Sequence, residues 1–151
     1  MKTMTGDFVH LAKSGEFDLI VHGCNCFCTM GAGVAKGIKA AFRAASKADL
    51  ATARGDRTKL GTCTFGKIER SRTSLVVVNA YTQFDYRGSG PKLDYEATRS
   101  CFRWIKQQHS GKRIGLPKIG AGLAGGDWAR IAAVIEEELA GEDVTLVEFA
   151  P

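Results

Sequence analysis

No run of about eighteen apolar residues occurs in this chain, so it holds no segment that could cross a bilayer as a helix. Met1 to Asp7 lacks the apolar core of a secretory signal, and the expectation is a cytoplasmic protein. Cysteine is sparse and odd in number, with five residues, three of them crowded at Cys24, Cys26 and Cys28. That pattern fits reduced thiols better than a disulfide framework. A zinc site is also disfavoured. C-x-C-x-C has no second ligand pair at zinc spacing, and Cys63 and Cys101 stand alone. No metal or other cofactor is expected. A nucleophilic cysteine paired with His22 or His109 has no motif behind it. No long basic run exists, so the net charge of +5 does not by itself argue for nucleic acid. It fits a solvated surface, or a polyanionic or phosphorylated ligand. Internal repeats, linkers and low-complexity segments are absent too. The 151 residues therefore read as one domain with a single core, and as a monomer.

Two nucleotide-binding signatures are missing as well. Gly31, Gly33 and Gly37 do not have the spacing of G-x-G-x-x-G, and the next strand ends without the expected acid about twenty residues on. The Gly-Lys-Ser/Thr ending of a P-loop is absent.

What the chain has is glycine, 18 residues of it. The stretch from Asp18 to Ala45 organises the rest. Leu19 to Val21 is a short apolar run of strand type. Gly31 and Gly33 let the backbone turn tightly and approach a ligand. From Gly33 onward Val34, Ile38, Ala41 and Ala45 recur at helical spacing. Strand, glycine loop and helix in this order leave free N–H groups that favour an anion.

Along the chain, Met1 to Phe8 reads as a first strand ending at Gly6-Asp7, and His10 to Glu16 as a polar connection. Ser46 to Leu60 is charged and irregular. Thr62 to Ile68 alternates as a strand does. Leu75 to Val78 is continuously apolar, as in a strand buried on both faces. Asn79 to Lys92 reads as a loop. Asp94 caps a helix with the inner stripe Tyr95, Thr98, Cys101, Phe102 and Ile105. Arg113 to Leu116 is a short strand, and Pro117 to Gly126 a second glycine loop. Asp127 caps a helix with the stripe Trp128, Ile131, Ile135 and Leu139. Val144 to Phe149 closes the chain as a strand. Alternating helices and short strands predict an α/β layered fold with a parallel or mixed sheet. Ligands of such sheets sit beyond the carboxyl ends of strands, so both glycine loops are expected to line one crevice.

Four motifs, in order, carry a resemblance to macrodomains. Val21-His22-Gly23-Cys24-Asn25 with Gly31-Ala32-Gly33-Val34-Ala35 resembles their first ADP-ribose loop. Pro117-Lys118-Ile119-Gly120-Ala121-Gly122-Leu123-Ala124-Gly125-Gly126-Asp127-Trp128 resembles the second. Gly6-Asp7 resembles the adenine-reading position, and Asn79 to Gln83 the strand and loop beside the distal ribose. The resemblance implies a three-layer α/β/α fold with a mixed central sheet. It implies ADP-ribose, or a phosphorylated or conjugated derivative of it, as ligand. An ADP-ribosylated protein or nucleic acid is a further partner that it allows.

The same resemblance implies roles for single residues. Asp7, with Phe8 beside it, would accept from the adenine amino group; by itself Asp7 reads as a turn residue. Asn25 would hold the distal ribose; by itself it reads as an Asx turn. Gly31, Ala32, Gly33 and Val34 would lie beside that ribose. Gly120, Ala121, Gly122, Leu123 and Ala124 would wrap the diphosphate with backbone N–H groups. One branch of the family uses a lysine where Gln83 stands, and another an aspartate where Ala124 stands. Both departures argue against lysine-dependent removal of ADP-ribose. His22 resembles a histidine of the branch that dephosphorylates ADP-ribose 1″-phosphate. The implied catalytic group is therefore His22, Asn25 and Asp127. The alternatives are an ADP-ribosyl hydrolase for modified protein or nucleic acid, and a reader without chemistry.

Overall fold

A computed structural model describes residues 1–149. One six-stranded sheet, in the order β1-β6-β5-β2-β4-β3, forms the centre. Its strands are β1 (Lys2–Thr5), β2 (Leu19–Cys24), β3 (Cys63–Glu69), β4 (Ser74–Tyr81), β5 (Arg113–Leu116) and β6 (Asp143–Glu148). Neighbours from β1 through to β4 pair in parallel, and only the edge strand β3 runs antiparallel, against β4. The sheet is therefore mixed, and five strands end at the same edge.

Strands β2 and β4 are apolar on both faces because both faces are covered. Leu19, Val21, Val76 and Val78 pack with Phe102 and Ile105 of α4 (Tyr95–His109) and Ile131 and Ile135 of α5 (Trp128–Glu138). Ile20 and Val77 face the other way. They meet Phe8 and Ala12 of α1 (Phe8–Lys13), Ile38 of α2 (Gly33–Ala41) and Ala45 of α3 (Arg43–Leu50). Helices on both faces of one sheet make the three-layer α/β/α sandwich.

Three boundaries differ from the sequence reading, each for a local reason. The first strand stops at Thr5, and helix α1 opens at Phe8, the last residue of the segment read as strand, and runs into the segment read as a polar connection. Asp7 caps that helix, its Oδ1 accepting from the His10 N–H at 2.9 Å. Six residues are too few for a clear helical period. The helix read from Gly33 through Ala45 breaks at Phe42, whose φ of −129° and ψ of 81° are not helical. The apolar spacing survives the break because α3 packs on the same sheet face. Strand β4 runs three residues past Val78, to Tyr81, where polar Asn79 disguised it.

Candidate functional site

Strands β2 and β5 are neighbours, and each is followed by a glycine loop. The two loops meet. A Cβ built on Gly33 would stand 3.9 Å from Leu123 Cδ1. Gly33 has a φ of +58° and Gly120 of +73°, in the left-handed region that favours glycine. At Gly120 a side chain would also strike Leu93 Cδ1 at 2.4 Å, so both the turn and the close approach require glycine.

The amides of these loops are unclaimed. Among the described residues, the backbone N–H groups of Gly31, Ala32, Gly33 and Val34 donate to no protein acceptor, and neither do those of Gly120, Gly122, Leu123 and Ala124. The rest of the second loop is tied down. Gly126 N–H donates to Gly120 O at 2.6 Å, and Gly125 N–H to Gly122 O at 3.0 Å. Ala124 O accepts from the Lys92 N–H at 2.7 Å. A hydrogen-bonded loop with free amides beside a second such loop suits an anion. The hydrophobic side chains beside it, Val34 and Leu123, are exposed, Leu123 by 82%.

Asp7 lies at the carboxyl end of β1, two strands from β5. Its Oδ1 serves the α1 cap, and Oδ2 has no partner among the described residues. Phe8 itself is buried against the lower helices. Asn25 is 8% exposed, and its amide is engaged within its own loop. Oδ1 accepts from the Phe27 N–H at 2.8 Å and from Thr29 Oγ1 at 3.1 Å. Nδ2 donates to Thr29 O at 3.1 Å and to Thr29 Oγ1 at 2.8 Å. This is the Asx turn, and it shapes the loop that carries Gly31 to Val34. Asp127 is exposed at the end of the second loop and caps α5, its Oδ1 accepting from the Ala129 N–H at 3.1 Å.

His22 is the residue that the structure moves. Its ring contacts Asn79, which in turn donates to Ala45 O of α3, and it is 1% exposed. Asn79 Nδ2 donates to Ala45 O at 2.9 Å and Thr64 Oγ1 at 3.0 Å, which leaves Asn79 Oδ1 as acceptor. His22 Nε2 must then be the protonated nitrogen in the 2.7 Å contact to Asn79 Oδ1. Burial holds the imidazole at a pKa of about 4, against the upward pull of Asn79. At that pKa the imidazole is neutral near pH 7 and is not an imidazolium acid there. The Cys24 Sγ lies 3.6 Å from Nε2 of its ring.

The three crowded thiols diverge. Cys24 lies against His22, Cys26 Sγ points to Gln83 O at 3.6 Å, and Cys28 Sγ to Asp49 O at 3.4 Å. Burial pushes the Cys24 thiol well up and the Cys26 thiol to about 11, so both are protonated near neutrality. Among the described residues no three His, Cys, Asp or Glu side chains are grouped as metal ligands. Elemental analysis of purified protein is expected to find well under one zinc per chain, because thiols that diverge and stay protonated do not hold the ion.

Sequence reasoning missed Lys59. It is buried, its Nζ donating to Cys26 O at 3.0 Å and standing 4.9 Å from the Tyr81 ring centre. It braces the first loop from below. Its neighbours Asp56 and Arg57 made the whole segment read as charged and irregular.

A protein-family model for the Macro domain matches residues 21–135. An uncharacterised 17.5 kDa protein from the tk-vs intergenic region of Enterobacteria phage T4 is 35% identical over 157 residues, covering 100% of this chain and 97% of that one. This chain belongs to the macrodomain family. Solved structures agree on the fold. A protein of unknown function from Bacteroides thetaiotaomicron superposes with a TM-score of 0.76 at 22% identity, over 99% of both chains. Thermosipho africanus DarTG in complex with ADP-ribose gives 0.70 at 17% identity, over 99% of this macrodomain and 42% of that chain.

Proposed function

We propose that this macrodomain binds ADP-ribose across the carboxyl edge of its sheet. The observation that carries the reading is the pair of facing glycine loops with unclaimed amides, Gly31 to Val34 and Gly120 to Ala124. In this reading the second loop wraps the diphosphate, the first borders the distal ribose, and the free Asp7 oxygen reads adenine. That a structural relative holds ADP-ribose supports it.

ADP-ribose is expected to bind more tightly than AMP, which reaches only part of both loops. Asp7→Ala is expected to weaken adenine recognition by about 1–3 kcal/mol, the range for a charge-assisted hydrogen bond. Isothermal titration of both ligands decides this. Equal affinity for AMP and ADP-ribose overturns the reading.

We further infer that a chemical step on ADP-ribose 1″-phosphate at this site uses water, not His22, against the phosphorus. The loop amides would stabilise charge and Asp127 would hold the water. His22→Gln, which keeps a donor toward Asn79, is then expected to release phosphate at the wild-type rate. Asp127→Asn, which keeps the cap, is expected to slow it by about 10²-fold or more. Wild-type protein that binds ADP-ribose and releases no phosphate points to a reader instead.

A further inference from the structure

The first glycine loop carries a thiol that lies against a buried amine. Cys28 stands three residues before Gly31. Its φ of +57° is the one left-handed value outside glycine among the described residues. A conformation of that kind persists only where its surroundings hold it. Here the side chain is held from two sides. Its Sγ lies 3.4 Å from Asp49 O and from Thr52 Oγ1, and 3.6 Å from Thr52 O, at the end of α3. From the other side Lys59 Nζ donates to the same sulfur at 3.6 Å. Lys59 is 7% exposed and belongs to the short turn Arg57–Lys59. Among the described residues no carboxylate comes within 4.0 Å of its ammonium. Its other partners are the Cys26 carbonyl and the Tyr81 ring.

Cys28 is also the thiol that an oxidant reaches. Cys24, Cys26 and Cys101 are buried. Cys63 is half-buried, and a hydrogen bond with Cys101 together with burial pushes its thiol well up. A thiol reacts through its thiolate, so that shift protects Cys63. Half-buried Cys28 is left, with an amine in reach. We propose that Cys28 and Lys59 are a modification site, at which hydrogen peroxide joins them through a sulfur–nitrogen bond. Peroxide first transfers one oxygen to sulfur. Cys28 becomes a sulfenic acid, and the peroxide is reduced to water. The Nζ electron pair then attacks sulfur. The S–N bond forms and the S–O bond breaks. The hydroxyl leaves as water with one ammonium proton, and a second proton goes to solvent. The pair of thiol and amine loses two electrons in all, and the peroxide takes them. The product nitrogen is uncharged, so the step also removes a buried ammonium that has no carboxylate to offset it. Closing 3.6 Å to a bond length draws the first loop toward the turn at Lys59. The effect on ligand affinity rests on the ADP-ribose reading; the bond itself does not.

Peptide mass mapping of the purified macrodomain after treatment with hydrogen peroxide tests this. A pair of peptides joined through Cys28 and Lys59 is expected, about 2 Da lighter than the sum of its parts, and dithiothreitol should separate it. A disulfide loses the same mass, so the map decides and the whole mass does not. Cys28→Ser should abolish the link, and Cys63→Ser should leave it. Lys59→Met should let the oxidation run on to a Cys28 sulfinic acid, about 32 Da heavier. If Lys59→Met does not fold, the wild-type map alone still decides. Isothermal titration should find ADP-ribose bound about fivefold or more weakly after peroxide, and Cys28→Ser unaffected by the treatment. Cys28 recovered as a free thiol, as a sulfinic acid or in a disulfide, with no link to Lys59, overturns the proposal. Linked protein that holds ADP-ribose as tightly as before overturns the coupling of the bond to the loop. Linked protein that ignores ADP-ribose both before and after upholds the modification site and removes the ADP-ribose reading alone.

Discussion

Gly66→Ala is expected to destabilise the protein by about 3 kcal/mol or more, which lowers the melting temperature by roughly 6–12 °C for a chain of this size. The added Cβ would stand 2.4 Å from Ala44 C, 2.5 Å from Ala45 N and 2.7 Å from Ala44 O. All three are backbone atoms of α3, so no rotamer change relieves the overlap. Either α3 lifts from β3 or the strand bends. Lifting α3 also withdraws Ala45 O from Asn79 Nδ2, and so loosens the acceptor that holds His22. Gly31→Ala is the control, because a Cβ there meets nothing within 4 Å. Its stability should stay within about 0.5 kcal/mol of wild type. Thermal melts of the two variants test the packing directly, and a Gly66→Ala melt that matches wild type would show that α3 does not lie on β3 as described.

The alternation of apolar runs with capped, amphipathic segments made the layers legible. Asp94 and Asp127 cap their helices as their position before a periodic stripe implies, accepting from the Ala97 and Ala129 N–H groups. Continuous apolar runs at Leu19–Val21 and Leu75–Val78 implied strands covered on both faces, which β2 and β4 are. What misled was polar chemistry serving structure. Asn79 reads as the start of a loop, yet it is fully buried mid-sheet because three partners satisfy its amide. Lys59 lies in a stretch that reads as charged and irregular, yet a carbonyl and a ring hold it inside.

At the site, loop position was legible and side-chain direction was not. Glycine spacing after apolar strands placed both loops on one edge, because parallel neighbours end together. Direction depends on strand register. His22 is paired across the sheet with Asn79, so its face was fixed by a partner 57 residues away. A histidine next to a glycine loop in sequence is thus held by a side chain of the neighbouring strand.

Acid is expected to destabilise the protein through His22 in a window of its own. The folded pKa of about 4 lies below the ordinary value of 6.5 because the ring is buried. As pH falls through about 6.5 the unfolded chain takes up the proton first, while the native imidazole stays neutral. The stability due to this group is therefore complete above the unfolded value, declines between about pH 6.5 and 4, and is level below. A shift of this size corresponds to about 3 kcal/mol. Asp18 acts in the same direction but lower down, since the hydrogen-bonded Arg113 guanidinium holds its carboxyl at about 2 against an ordinary 3.8. Its contribution is lost only as pH falls from about 3.8 toward 2, so the two groups separate. His22→Gln removes the titration and leaves every carboxylate in place. Urea unfolding of both proteins at pH 7 and pH 4.5 isolates the term as a difference of differences. Wild type should lose about 2 kcal/mol or more relative to His22→Gln over that interval. A gap between the two proteins that does not change with pH would mean that the imidazole is solvated or charged in the native state.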